Sequence, residues 1–308
     1  MPHHFRSRAW ASRADLDLVQ ALARARLDVD WPALRIHPGD LDWWVVGAHG
    51  LTPSLEERVR LWFDAAAATE EAPGALRAFA WLNRAGQVDF YLASDEPDEV
   101  DQLVREIVAW VEPKGPVKAW LSAAEPAAAT MADLGLHPTS DAAFVYLTGD
   151  ISITDRWAPP VLPPGLSLQP MTDDLVEARV ICGRAAFGSS MTPERYRQTF
   201  KANLYRRELD LSLVNGEGRV AAFALGWLDP ASGVVELEPV GVHPDFQRQG
   251  LGRQICQATL RRARELGATR AVIGAESDNP ASVGLYQSLG LTISIEIVAF
   301  ARDTPATG

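Results

Sequence analysis

Pro239–Arg253 reads PVGVHPDFQRQGLGR. An apolar strand ends at Val242, His243-Pro244-Asp245 turns the chain, and Gln247–Gly252 reads Q-R-Q-G-L-G. A helical pattern follows from Leu251 to about Leu266. Strand, turn, glycine loop and helix together make a place to hold an anion. The first turn of a helix leaves backbone N–H groups unpaired and carries the positive end of the peptide dipoles. Gly250 and Gly252 let a phosphate come close to the backbone and tolerate positive φ, while Arg248 and Arg253 add positive charge. The stretch predicts a pyrophosphate cradle.

Working outward, 308 residues suffice for two domains of ordinary size. A content of 47% hydrophobic and 22% charged residues fits a soluble globular protein with a real core. The net charge of −11 argues against general nucleic-acid binding, which needs a basic face. It is compatible with a cationic or amine substrate, and equally with plain solubility. Cys182 and Cys256 form neither a metal-ligand spacing nor a disulfide framework and read as small core hydrophobes. No metal is expected. The N-terminus, MPHHFRSRAW, lacks the apolar run of a signal peptide, and no stretch approaches about 20 apolar residues. A cytoplasmic protein with no membrane partner is expected.

Taken in order, the pattern predicts a strand at His4–Trp10 and a helix over Arg13–Arg26 with Ser12 as cap. Asp40 is a candidate cap before the Trp- and Val-rich run Leu41–Val46. Strands follow at Val59–Phe63, Leu76–Leu82 and Val88–Leu92, then a helix over Glu99–Val111, a strand at Val117–Leu121, a helix over Glu125–Leu134 and a strand at Ala142–Leu147. Ile151–Gly165 holds two proline pairs and is the best candidate linker. Beyond it come a strand at Leu166–Met171, a helix over Asp174–Ala186 and another from Thr192 to about Arg207. Strands Leu211–Val214, Val220–Leu228 and Val234–Val242 lead into the glycine loop and its helix. Ala271–Ala275, a helix over Pro280–Leu289 and Thr292–Phe300 close the chain. Both halves run strand, helix or helices, three strands, helix, strand, helix, strand. The chain therefore reads as two copies of one α/β domain with a mixed α+β sheet, 1–156 and 166–308, joined by a Pro-rich linker at 157–165.

The C-terminal half resembles the GCN5-related N-acetyltransferase (GNAT) superfamily, whose acetyl-CoA loop is Q/R-x-x-G-x-G/A. Here that loop is Gln247-Arg248-Gln249-Gly250-Leu251-Gly252, after a strand ending Val-His-Pro. The likeness continues through Asp278-Asn279-Pro280-Ala281 and Leu285-Tyr286-Gln287-Ser288-Leu289-Gly290-Leu291, with Leu291 where the family usually has Phe. The two-copy layout further resembles tandem acetyltransferases such as mycothiol synthase. The N-terminal half departs at the deciding place: after Val88–Leu92 it reads Ala93-Ser94-Asp95-Glu96-Pro97-Asp98-Glu99. Acidic residues there would repel a pyrophosphate by about 1 kcal/mol per close pair even in high dielectric. That half is expected to be a degenerate copy without the acetyl-CoA loop.

The resemblance implies an acetyl-CoA-dependent N-acetyltransferase that joins acetyl-CoA and an amine-bearing acceptor, small molecule or peptide, by direct attack in a ternary complex. Val240, Gly241 and Val242 match the strand that pairs with the pantetheine arm, and Gln247 to Arg253 match the pyrophosphate loop. Pro239 fits a splay or bulge there, which makes the Val240 N–H a candidate donor to the thioester oxygen. Glu236 and Glu238 lie two apart on one strand and share a face. Either suits a base or an anionic site for the amine, and Glu236 matches the family's strand glutamate. Tyr286 matches the tyrosine that protonates the leaving thiolate, although core packing with Val283, Leu285 and Leu289 is the plain reading. Asn279 matches a cofactor contact and is equally an ordinary helix cap. His243 reads as a turn residue and Trp227 as a core residue. Arg184, Arg195, Arg197 and Lys201, in the region where this family recognises its acceptor, name no substrate.

A dinucleotide fold fits less well, because seven residues separate Val242 from Gly250 and Ile255 holds the third-glycine position. A non-catalytic CoA-binding or regulatory module, and transfer of a longer acyl group, remain the alternatives. A monomer or homodimer is expected.

Overall fold

A computed structural model describes residues 4–48, 54–65, 74–84, 86–141, 143–153 and 159–302. In chain order the first half contains β1 (Phe5–Ala9), α1 (Ala14–Asp30), α2 (Pro38–Ala48), α3 (Leu55–Arg58), β2 (Val59–Asp64), β3 (Leu76–Arg84), β4 (Gln87–Leu92), α4 (Pro97–Val111), β5 (Lys118–Leu121), α5 (Ala127–Asp133), β6 (His137–Pro138) and β7 (Phe144–Asp150). The second half contains β8 (Leu166–Pro170), α6 (Val176–Phe187), α7 (Pro193–Tyr196), β9 (Asp210–Asn215), β10 (Val220–Asp229), β11 (Val234–Val242), α8 (Leu251–Glu265), β12 (Arg270–Glu276), α9 (Pro280–Ser288) and β13 (Thr292–Ala301).

The chain forms two compact units that interleave, where a single cut near residue 158 is expected from the sequence. Unit 1 comprises residues 1–29, 51–144 and 295–308; unit 2 comprises 30–50 and 145–294. The sheet of unit 1 runs β1-β2-β3-β4-β5-β13 and that of unit 2 runs β7-β12-β11-β10-β9-β8. Each sheet thus ends on a strand drawn from the other half of the chain. Such an exchange conserves strand pairing and burial, so the alternating pattern of β7 and β13 carries no trace of it. The proline-rich stretch lies partly outside the described residues, as do Ala85 and Ala142 of the expected turn and strand.

Unit 1 packs α4 and α5 on its sheet, with Val100, Leu103, Val104, Ile107 and Val108 of α4 against Phe90, Ala119 and Leu121. In unit 2, α8 lays Leu251, Ile255, Cys256 and Leu260 on Ala224, Val235, Leu237 and Ile273. Burial pushes the thiol of Cys182 up to about 11 and that of Cys256 up to about 12, as inert core residues. Both units share one signature. A central parallel pair is joined only at its start, Gln87–Val88 of β4 on β5 in unit 1 and Val234–Glu236 of β11 on β12 in unit 2.

Leu41–Val46, the run after the Asp40 cap, lies in helix α2, and its Trp43 packs against Trp227. One local reading changes. The helix expected from Thr192 to Arg207 stops at Tyr196 and continues as a tighter turn over Arg197–Lys201. The backbone beyond is held elsewhere, since the Asp42 carboxylate accepts the N–H groups of Asn203 and Leu204, each at 2.9 Å.

Candidate active site

The site is built on β11. Opposite β10, Val240 faces Ala224 and Leu237 faces Gly226, so the register slips and Glu238-Pro239 bulge out opposite Leu225. Proline has no N–H to give to a ladder, which suits it to this position. The Trp227 indole N–H donates to the Glu238 carbonyl at 2.7 Å and ties the bulge down. Burial changes at the same point: Val234–Leu237 are buried, whereas Glu238, Pro239 and Val240 are half-buried. Gly241 lies beneath the Phe223 ring, where a Cβ would come within 2.3 Å of Cζ.

Residues opposite one another on paired strands share a face. Trp227 with Glu236, and Phe223 with Gly241, therefore put one row of side chains on the face away from α8. Glu236 and Glu238 are on that face, and Asp40 of α2 joins them. One oxygen from each carboxyl lies within 4.8 Å of the other two. Glu236 is 2% exposed and its Oε2 has no hydrogen-bond partner. Burial pushes the Glu236 carboxyl well above its ordinary value, and the charge of Glu238 adds to this. Burial likewise raises Glu238, with Asp40 adding, and Asp40, with Glu236 adding. This is the group of carboxyls, among the described residues, close enough to share one cation.

Asp40 is placed by its own turn. Its carboxylate accepts the His37 N–H at 2.7 Å, while His37 Nδ1 accepts the Gly39 N–H at 3.0 Å, a reciprocal cap at the start of α2. His37 Nε2 lies 3.3 Å from the Val234 carbonyl. That network assigns the ring proton to Nε2 and leaves Nδ1, 3.5 Å from Glu236 Oε2, without a proton to offer it. In the sequence Asp40 is marked only as a cap. The available signal was Asp40-Leu41-Asp42, two acids within an otherwise apolar run.

The glycine loop turns through two left-handed residues, one of them not a glycine. Gly250 caps α8 at φ 74° and Arg248 sits at φ 61°. Gln247, Arg248, Gln249, Gly250 and Arg253 are exposed. The first turn of α8 carries no acidic residue, so its N–H groups face outward uncompensated. At Gly252 a Cβ would come 3.1 Å from Leu285 and 3.5 Å from Val242, which ties Gly252 to the close packing of α8 on α9 and β11. These residues fit a pyrophosphate. The matching helix of unit 1 does not. There α4 carries Asp98 and Glu99 in its first turn, Asp95 pairs with Arg26 at 2.9 Å, and buried Glu99 accepts from Arg77 Nε at 2.7 Å.

Tyr286 is 6% exposed within the α8 core. Burial pushes its phenol well above the ordinary value, with the Cys256 and Glu238 charges adding. Asn279 caps α9 by accepting the Ser282 N–H at 3.1 Å, and His243 Nδ1 accepts the Asp245 N–H at 3.2 Å, the turn role expected of it. A second polar group on the β10 face was not anticipated. Asp210 accepts from the hydroxyls of Tyr196 and Tyr205 at 2.7 and 2.9 Å, and Arg179 stacks 3.2 Å over Phe223.

The mixed sheet, open beside the bulged strand β11, leads directly into the glycine turn that opens α8. Residues 173–291 match the acetyltransferase (GNAT) family model. Mycothiol acetyltransferase of Saccharomonospora viridis is 29% identical over 202 residues, 61% of this chain and 65% of the relative. Its counterpart in Paenarthrobacter aurescens is 30% identical over 57% of each chain. The [ribosomal protein bS18]-alanine N-acetyltransferase of Escherichia coli is 35% identical over 30% of this chain and 61% of the relative. The chain thus spans less than two thirds of these relatives. A tandem GNAT protein from the clavulanic acid biosynthesis pathway superposes with a TM-score of 0.63 at 14% identity, covering 96% of this chain and 98% of that one. A GCN5-related N-acetyltransferase from Sphaerobacter thermophilus gives 0.62 at 20% identity over 96% and 94%. The fold is that of a tandem GNAT protein.

Proposed function

We propose that unit 2 transfers the acetyl group of acetyl-CoA to the amine of a small-molecule or peptide acceptor by direct attack in a ternary complex, with one site per chain. The observation that carries this reading is β11 itself. One strand bears two carboxyls at its bulge, Glu236 buried and Glu238 half-buried, and leads into an exposed helix N-terminus with no acidic residue in its first turn. The relatives named mycothiol acetyltransferase and [ribosomal protein bS18]-alanine N-acetyltransferase support acetyl transfer, the second of them to nitrogen.

Acetyl-CoA supplies the acetyl group as a thioester. Residues Gln247–Arg253 hold its pyrophosphate on the first turn of α8, and Val240, Gly241 and Val242 present free backbone to its arm. Glu238, half-buried, faces the acceptor together with Glu236, whose carboxyl oxygen lies within 4.8 Å of it. This pair takes the proton that the acceptor nitrogen gives up as it bonds to the acetyl carbon. The Val240 N–H donates to the carbonyl oxygen as charge builds there. Tyr286 gives its proton to the sulfur as the carbon–sulfur bond breaks, and its raised phenol stays protonated until that moment. A screen of amine acceptors with CoA thiol release as readout tests the reading. Release with an amine supports it; no release from any amine, with acetyl-CoA bound, overturns it in favour of a CoA-binding module.

A further inference from the structure

Asp40 joins the two glutamates yet lies far from them in sequence, in a segment of the first half that belongs to unit 2. Its delivery is over-determined. Gly39 is pressed onto Trp227, where a Cβ would come 2.3 Å from Trp227 Cβ. Asp42 holds the backbone of Asn203 and Leu204 at 2.9 Å. His37 reaches the Val234 carbonyl on β11 at 3.3 Å. A helix cap alone does not call for this anchoring, nor for burying the cap at 3% exposure against two glutamates.

Three points no more than 4.8 Å apart always have a point within about 2.8 Å of all three. That is the length of a charge-assisted N–H···O bond, about 2.7–2.9 Å. A primary ammonium presents three N–H donors and no acceptor, one for each carboxyl. Glu236 Oε2, buried and without a hydrogen-bond partner, independently asks for such a donor, since His37 Nδ1 is already an acceptor from Gly39.

Building on the amine reading above, we propose that Asp40 is an acceptor-recognition residue that completes, with Glu236 and Glu238, a seat for a primary ammonium. The acceptors selected are then primary amines entering as cations, in preference to alcohols, thiols or alkylated amines. Asp40 holds the nitrogen, and the glutamates receive its proton.

The test is calorimetric titration of the full chain loaded with CoA, which permits no turnover. The probes are butylammonium, butyltrimethylammonium, butan-1-ol and calcium chloride. Butylammonium is expected to bind at least tenfold more tightly than the quaternary ion or the alcohol. Asp40→Asn weakens it at least tenfold with CoA affinity retained, and Asp40→Glu recovers part of the loss. If Asp40→Asn also loses CoA, the Asp40→Glu variant carries the comparison and must bind butylammonium measurably. Equal affinity for the primary and quaternary ions overturns the proposal, as does an Asp40→Asn protein that binds like wild type. Absence of butylammonium binding, or tighter competitive binding of calcium, also overturns it. Thiol release in the amine screen is read separately, so this inference can fail while the acetyltransferase reading stands.

Discussion

Gly39 and Trp227 touch backbone to ring: a methyl group at position 39 would sit 2.3 Å from Trp227 Cβ and 2.6 Å from Cγ. The same indole donates to the Glu238 carbonyl, so α2 and the bulge of β11 rest on one side chain. Gly39→Ala should therefore act as overpacking, costing about 1–3 kcal/mol. It should also shift Asp40 and lower turnover more than tenfold while leaving CoA affinity within twofold. Urea unfolding and thiol-release kinetics check both halves of this expectation. Wild-type turnover would show that the α2 turn and the site are uncoupled.

Tyr286→Phe removes the proton donor and keeps the ring in its core position. General acid catalysis contributes about 10²–10⁴-fold, so kcat should fall by at least a hundredfold while acetyl-CoA binds as before. Unchanged kcat in steady-state assays would remove Tyr286 from the mechanism.

Gly252→Glu introduces bulk against Leu285 and a negative charge in the first turn of α8. Acetyl-CoA affinity should drop more than a hundredfold. The wild-type titration should give one site per chain, because α4 of unit 1 meets an anion with its own Asp98 and Glu99. Two equal sites would contradict the degenerate reading of that half.

Asp40, Glu236 and Glu238 have folded-state pKa values raised from ordinary values of 3.8 for Asp and 4.5 for Glu. The folded protein thus binds more protons than the unfolded chain above that range. Their stabilising contribution is complete below the ordinary values and is lost as pH rises through the raised ones, at up to about 1.4 kcal/mol per proton per pH unit. Thermal melts from pH 5 to 9 should show Tm falling, and Glu236→Gln should flatten that fall. Acetyl transfer runs the other way, because the base must be unprotonated, so kcat/KM rises over the same interval. A Glu236→Gln melt as steep as wild type would clear this residue of the effect.

Much of this molecule was legible locally. The alternation in Val234–Val242 and the helical spacing after Gly250 give both elements their observed extents, because short-range periodicity and glycine conformational freedom act on neighbours alone. The acidic run before α4 was legible for the same reason. Its charges do sit in the first turn of a helix.

The sequence by itself thus determined the α/β order of elements, the glycine turn that opens α8, the acidic first turn of α4, and the two glutamates two apart on one strand. Only the tertiary structure decided that β7 and β13 change sheets, that Thr192–Lys201 tightens after one turn, and that Asp40 meets Glu236 and Glu238. Each of these depends on contacts between residues far apart in the chain. A strand reads alike in either sheet, and a cap reads alike whether it faces solvent or two other carboxyls. The energy that distinguishes these states lies in the partner across the gap, which no local pattern records.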